Sequence, residues 1–192
     1  LKRSLAPLSG FGIRVVEVSV KQLADIDGAL ERLGQLSGRE QQADSFRKAW
    51  NRDRQRFAKW LSAHPLKDQR VLLLYGVRPY VAAGPGSFGD ELLRLAHLPN
   101  VVQTKNDYPV LDGEHILALR PTAILDASLQ SQPQEGLLHL VKLSRARYLR
   151  ITDQTLLHPC PATIRGYCDL IARWQGQAKC PLTFSSLATS AH

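Results

Sequence analysis

Apolar positions along the chain follow two rhythms. The first portion opens on Ile13-Arg-Val-Val-Glu-Val-Ser-Val20, a β-branched stretch that predicts a strand. Spacings of three and four then begin. Leu23, Ile26, Leu30 and Leu33 predict a helix over 21–36, punctuated by Gly34 and Gly38. A longer helix is predicted from Arg39 to Ala63, because Ala43, Phe46, Trp50, Phe57 and Leu61 share one stripe. Pro65 stops it.

Beyond residue 70 the apolar positions gather into short runs. Arg70-Val-Leu-Leu-Leu-Tyr75 reads as a strand buried on both faces, ended by Gly76. Short strands are predicted at 79–83, 100–102, 123–126 and 147–151, with 109–113 as a loop. Helices are predicted at 90–96, 114–119, 136–143 and 161–174, the last amphipathic on Ile164, Tyr167, Cys168, Ile171 and Trp174. The tail from Ala178 is expected to be loosely ordered. Strands alternating with helices predict an α/β fold with a largely parallel sheet, and one long helix separates this larger portion from the first.

Composition adds limits. Hydrophobic residues make up 44% of the 192, too many for a disordered chain. The longest unbroken apolar run, Val71–Leu74, is too short to cross a bilayer. The chain has no Met and no visible signal peptide, so a processed or truncated product is expected. Net charge is +8, of which residues 1–70 carry +6. The densest cluster is Arg47, Lys48, Arg52, Arg54, Arg56 and Lys59. Its aromatic neighbours Trp50, Phe57 and Trp60 lie on or beside the apolar stripe, so a solvated helix face is expected and no nucleic-acid partner. Cys160, Cys168 and Cys180 form no C-x-x-C pair, which argues against a zinc ribbon. Cys168 and Cys180 flank the end of the last helix and could form a disulfide tying back the tail.

Candidate chemistry is sparse. Gly84-x-Gly86-x-x-Gly89 has the spacing of a dinucleotide fingerprint between a strand and a helix, with Asp107 near the distance of a ribose acid. Pro85 removes a backbone donor there. A nucleotide-binding α/β enzyme is therefore the alternative reading. Ser87 lacks the glycine of a nucleophile elbow. His97 and His115 could face a cleft, but the six His residues show no ligand spacing and no metal site is expected. Asp112 and Glu114 could pair, although a carboxylate opening a helix is already favoured by the helix dipole.

The order of elements from Phe11 to Trp174 resembles the class III periplasmic binding proteins of ABC importers. Several runs carry the resemblance: Gly12-Ile-Arg-Val-Val16 with Leu23-Ala-Asp-Ile26, then Arg70–Tyr75, Tyr80-Val-Ala-Ala-Gly84, Ser87-Phe-x-Asp-Glu-Leu-Leu93 and Asn100-Val101. Tyr108-Pro109 with Glu114 six residues after the Tyr, Leu119-Arg-Pro121 and Ala123-Ile-Leu125 complete it. Two departures stand out. Most of the family's first lobe is missing, so a fragment or a degenerate interaction module is expected, and Ala96-His-Leu-Pro99 replaces a Gly-rich turn.

The resemblance implies residues 1–37 as a first-lobe remnant, 38–65 as a rigid interlobe helix, 66–176 as a second ligand-binding lobe and 177–192 as a tail. It implies a non-enzymatic, monomeric, periplasmic or extracytoplasmic protein without cofactor. The cargo would be a ferric siderophore, haem or cobalamin, and the partner an ABC permease in the inner membrane. Val77, Arg78 and Tyr80 would line the cleft, Tyr108 would stack on the ligand, and Glu114 would dock to the permease.

Overall fold

The computed structural model describes residues 6–66 and 69–184. Helix α1 (Asp25–Ser37) packs along α2 (Glu40–Ala63), which runs unbroken for 24 residues. The remainder alternates: β1 (Val71–Val77), β2 (Tyr80–Ala82), α3 (Phe88–Leu95), β3 (Val110–Leu111), α4 (Gly113–Ala118), β4 (Ala123–Asp126), α5 (Glu135–Ser144), β5 (Arg147–Arg150) and α6 (Thr163–Trp174). Short 3-10 turns occur at Ala6–Phe11 and Gln154–Leu156.

The sheet order is β3-β2-β1-β4-β5. β1, β4 and β5 are parallel, in the register Leu72↔Ile124↔Tyr148. β2 turns back from β1 at Arg78-Pro79 and pairs antiparallel, as does β3 with β2. Alternation along β1 divides the core. Val71 and Leu73 face α2, α3 and α6, where Trp50, Phe57, Leu92, Ile164 and Tyr167 are buried. Leu72 and Leu74 face α4 and α5, where Ile116, Leu137 and Leu140 are buried. The result is an α/β fold with helices on both faces of a mixed sheet whose centre is parallel, as the alternation of elements predicts.

Three expectations change. Residues 13–20 form no strand: they pair with no other strand among the described residues, and Ile13, Val15 and Val16 are exposed. β propensity alone cannot make a strand without a partner for its backbone groups. Residues 100–102 supply only a single bridge, Val71↔Asn100, because Asn100 spends its side chain on neighbouring backbone. The loop at 109–113 contains the two-residue β3.

The apolar stripe of α2 is also buried unevenly. Trp50 and Phe57 are fully enclosed, whereas Phe46 is exposed. The first portion is held to the rest by a specific bond as well as by apolar packing: Glu91 Oε2 on α3 accepts the Leu23 N–H at 2.9 Å.

The tail is more ordered than expected as far as Phe184. Cys168 and Cys180 form a disulfide, Asp169 Oδ1 accepts the Cys180 N–H at 2.8 Å, and Leu182 and Phe184 pack on the core. Residues 185–192 of the expected tail lie outside the described residues. Cys160 is free. Without reductant the denatured protein should therefore titrate a single thiol, from Cys160. Cys168→Ser with Cys180→Ser should lower unfolding free energy by about 3 kcal/mol, the loop-closure value for this span, measured by denaturant titration.

Candidate ligand-binding site

Ligands of open α/β sheets bind beyond the carboxyl ends of the parallel strands. Here β1 leaves that edge through Arg78-Pro79, the exposed tip of the β1–β2 hairpin. Arg78, expected to line the cleft, is exposed at this rim. Val77 is not: it is 5% exposed and belongs to the core beneath, so its expected place on the cleft wall is corrected to support of the turn. Tyr80, opposite Val77 in register, is half-buried in the same cluster. Its hydroxyl lies over the start of α5, where a Cβ at Gly136 would come within 3.2 Å. Tyr80 packs the hairpin onto α5, and only part of it faces solvent.

Tyr108 is 49% exposed. Its ring meets Tyr75 edge-on at 5.7 Å and 60°, a favoured aromatic geometry. Its N–H donates to Asn106 Oδ1 at 3.0 Å, closing a turn before Pro109. Burial pushes the Tyr75 phenol above its ordinary pKa, so it stays neutral beside Tyr108. Nothing in the apolar run 71–75 distinguishes Tyr75 as support for a site residue. Tyr108 lies at the level of Tyr75 and Ala83, further back along the hairpin than Arg78.

The glycine turn has its own explanation. The segment 104–109 crosses directly over it: Gly84 N–H donates to the Asp107 carbonyl at 2.8 Å and Ala82 N–H to that of Pro109 at 2.9 Å. A Cβ on Gly84 would lie 2.0 Å from the Asn106 carbonyl oxygen, and Gly86 has φ +93° with Asp107 close by. A Cβ on Gly89 would strike the Tyr75 hydroxyl at 2.6 Å. The space a pyrophosphate would need is filled by the chain, and the strand before the turn is antiparallel to β1. Asp107, which lies near the distance of a ribose acid, is part of that cover. The dinucleotide reading of Gly84-x-Gly86-x-x-Gly89 is set aside on these grounds.

The most specific run of the sequence proves to be one polar network. Ser87 caps α3, its Oγ accepting the Asp90 N–H at 3.2 Å. The buried Asp90 carboxylate accepts from Asn100 Nδ2 at 2.9 Å and Arg94 Nε at 3.1 Å. Asn100 Nδ2 also reaches the Ala83 carbonyl at 3.0 Å, and its Oδ1 accepts the Val102 N–H. His97 takes a left-handed backbone, φ 55°, a conformation that favours glycine.

Other candidates fall into structural roles. Asp112 caps α4 by accepting the His115 N–H at 2.8 Å and pairs with His115 Nδ1 at 2.9 Å, which hold its pKa below the carboxylate norm. Glu114 is exposed in the first turn of α4. At the ends of β4 and β5, Tyr148 Oη donates to the buried Asp126 carboxylate at 2.7 Å and Arg150 donates to the Gln130 carbonyl. Asp126 and Tyr148 do not stand out in the sequence, because their partnership is made only by parallel register. Among the described residues no group of His, Cys, Asp and Glu could hold a metal, and no helix is long and apolar enough to cross a membrane.

Asn100→Ala would strand a buried carboxylate oxygen and the Ala83 carbonyl. It should cost about 2–3 kcal/mol of stability in denaturant unfolding and speed amide exchange over 84–87 before the core strands exchange.

A family model for periplasmic binding proteins matches residues 9–142. A periplasmic haem-binding protein from Pseudomonas aeruginosa is similar at TM-score 0.76 and 28% identity, covering 96% of this chain and 71% of that one. The haem-binding protein RhuT from Roseiflexus sp. RS-1 reaches TM-score 0.76 at 19% identity, covering 93% and 73%. The vitamin B12 binding protein BtuF of Vibrio cholerae reaches 0.66 at 17%, covering 87% and 67%. The last two likenesses concern the fold. No curated protein matches the sequence significantly. The family model spans more than half of the chain, and the chain belongs to the periplasmic binding protein family.

Proposed function

We propose that this protein serves, outside the cytoplasm, as the solute-capturing component of an ABC importer, with a flat iron tetrapyrrole such as haem as its cargo and no catalytic step. The observation that carries the reading is Tyr108: half-exposed, braced by Tyr75 and held by Asn106, with Arg78 free at the rim. Such an aromatic plane suits stacking on a large conjugated ring, and a guanidinium suits its propionate-like carboxylates. The 28% identical Pseudomonas aeruginosa protein, a heme binder by name, favours haem over corrin or catecholate. The Cys168–Cys180 disulfide accords with an oxidising compartment. One continuous helix of 24 residues, about 36 Å long, is stiff, so capture would involve little closure of one lobe on another.

Titration with hemin, a ferric catecholate siderophore, cobalamin and NADH, followed by absorbance and Trp fluorescence, tests the reading. Hemin should bind best and NADH not at all. Preferred binding of NADH, or none of the four, would overturn the proposal, the latter in favour of an interaction module.

Tyr108→Ala should weaken hemin binding by about 1–3 kcal/mol, the scale of one desolvated aromatic anchor. Arg78→Ala should weaken anionic cargo most, with a loss that shrinks in high salt. Glu114→Ala should leave cargo affinity unchanged and impair uptake in a permease reconstitution, because its proposed partner is a permease cation.

A further inference from the structure

The opposite edge of the sheet carries a site that cargo capture does not use. Where β1 is entered and α4 and α5 end, a pocket of about 700 Å³ opens, a size within the range of small-ligand sites. Arg70, Arg120 and Arg145 line it together with Leu117, Pro121 and Leu143. Arg70 donates to the Leu119 carbonyl at 2.8 Å. Among the described residues no carboxylate lines the pocket or pairs with any of the three arginines.

Two further facts set these arginines apart. Arg120 and Arg145 both have left-handed backbone, φ 48° and 55°, at the C-terminal ends of α4 and α5. Glycine is the usual residue there, and a side chain in that conformation costs about 1 kcal/mol. Helix-end electrostatics do not account for the cluster either. Two helix C-termini present about half a negative charge each, so three guanidiniums leave about two positive charges in excess. Leu143, 55% exposed, adds an apolar wall beside them.

We propose that this pocket binds a phosphate-type oxyanion carried on a short apolar body. Guanidinium forks match the geometry of phosphate oxygens, and the leucine and proline walls suit an alkyl portion. A soluble phosphate monoester and a phospholipid headgroup share this chemistry.

The full chain is titrated by calorimetry at low ionic strength with hexyl phosphate, inorganic phosphate and hexanol, and floated with phosphatidylcholine vesicles with and without phosphatidic acid. Hexyl phosphate should bind more tightly than inorganic phosphate, and hexanol should not bind. Flotation that needs phosphatidic acid and these arginines identifies a headgroup; hexyl phosphate binding without flotation identifies a soluble ester. Arg120→Gly with Arg145→Gly should weaken binding about 100-fold, about tenfold for each charged bond lost. The double variant should melt no lower than the parent, since glycine relaxes both backbone positions. Arg70→Gln, outside the left-handed positions, should weaken binding about tenfold on its own. Tyr108→Ala should not change it, which separates this site from cargo capture. Absence of hexyl phosphate and vesicle binding, or equal binding by the arginine variants, would overturn the proposal.

Discussion

Tyr167 is the point on which the fold turns. Its side chain, 1% exposed, rises from α6 and contacts two other helices. Its ring lies 5.8 Å from Phe57 on α2, which stacks in turn on Trp60. Its hydroxyl donates at 2.6 Å to the Leu92 carbonyl on α3. Burial raises the phenol's pKa far above the ordinary value, so the donor keeps its proton at any physiological pH. An eight-residue helix such as α3 has little stability alone. Fastened by Tyr167, it presents Ser87 and Asp90 at a fixed place. Asp90 then fixes Asn100 and the 84–87 turn, the turn receives the 104–109 segment, and that segment carries Tyr108. The exposed Tyr108 thus owes its position to a chain of contacts that begins at a buried tyrosine on the same face of the sheet.

The helices were legible because their apolar spacing is long and regular. The 39–63 stripe needed only its own sequence to predict α2, and Ile164, Tyr167, Cys168 and Ile171 did the same for α6. The buried run at 71–74 identified the central strand for the same reason. The first segment misled because β propensity reports how a side chain suits a sheet, and Ile13, Val15 and Val16 have no neighbouring strand here on which to act. β3 was illegible for the opposite reason: Val110 and Leu111 are too few to show a period.

The site was legible in part, and the division follows how each residue obtains its role. The exposure of Tyr108 and Arg78 was legible from sequence, because each sits beside a proline where the chain turns and a side chain is left outside. Val77 stood next to them and was read the same way, yet the alternation that places Arg78 outside also sends Val77 into the core. Tyr75 supports Tyr108, and Asp126 holds Tyr148, through contacts between segments distant in sequence, which no local pattern encodes. The glycines illustrate a stronger limit. Their spacing was real, but the atom that demands glycine at position 84 belongs to residue 106. A phosphate-binding turn and a turn covered by its own chain can share one sequence pattern.

The two edges of the sheet differ in how their polar groups are spent. At the carboxyl edge Asp126, Tyr148 and Arg150 satisfy one another or nearby backbone, while Tyr108 and Arg78 stay exposed. At the amino edge three arginines face one pocket with no carboxylate among the described residues to answer them. Like charges gathered in this way repel, and the repulsion is relieved only by counter-ions or by a bound anion. A ligand stacked on Tyr108 would be held by apolar and dispersion forces that salt screens little, whereas an anion bound at the arginines would exchange one set of ions for another. Ionic strength would therefore act on the two proposed sites unequally: raising it should empty the basic pocket while sparing binding that rests on the aromatic face.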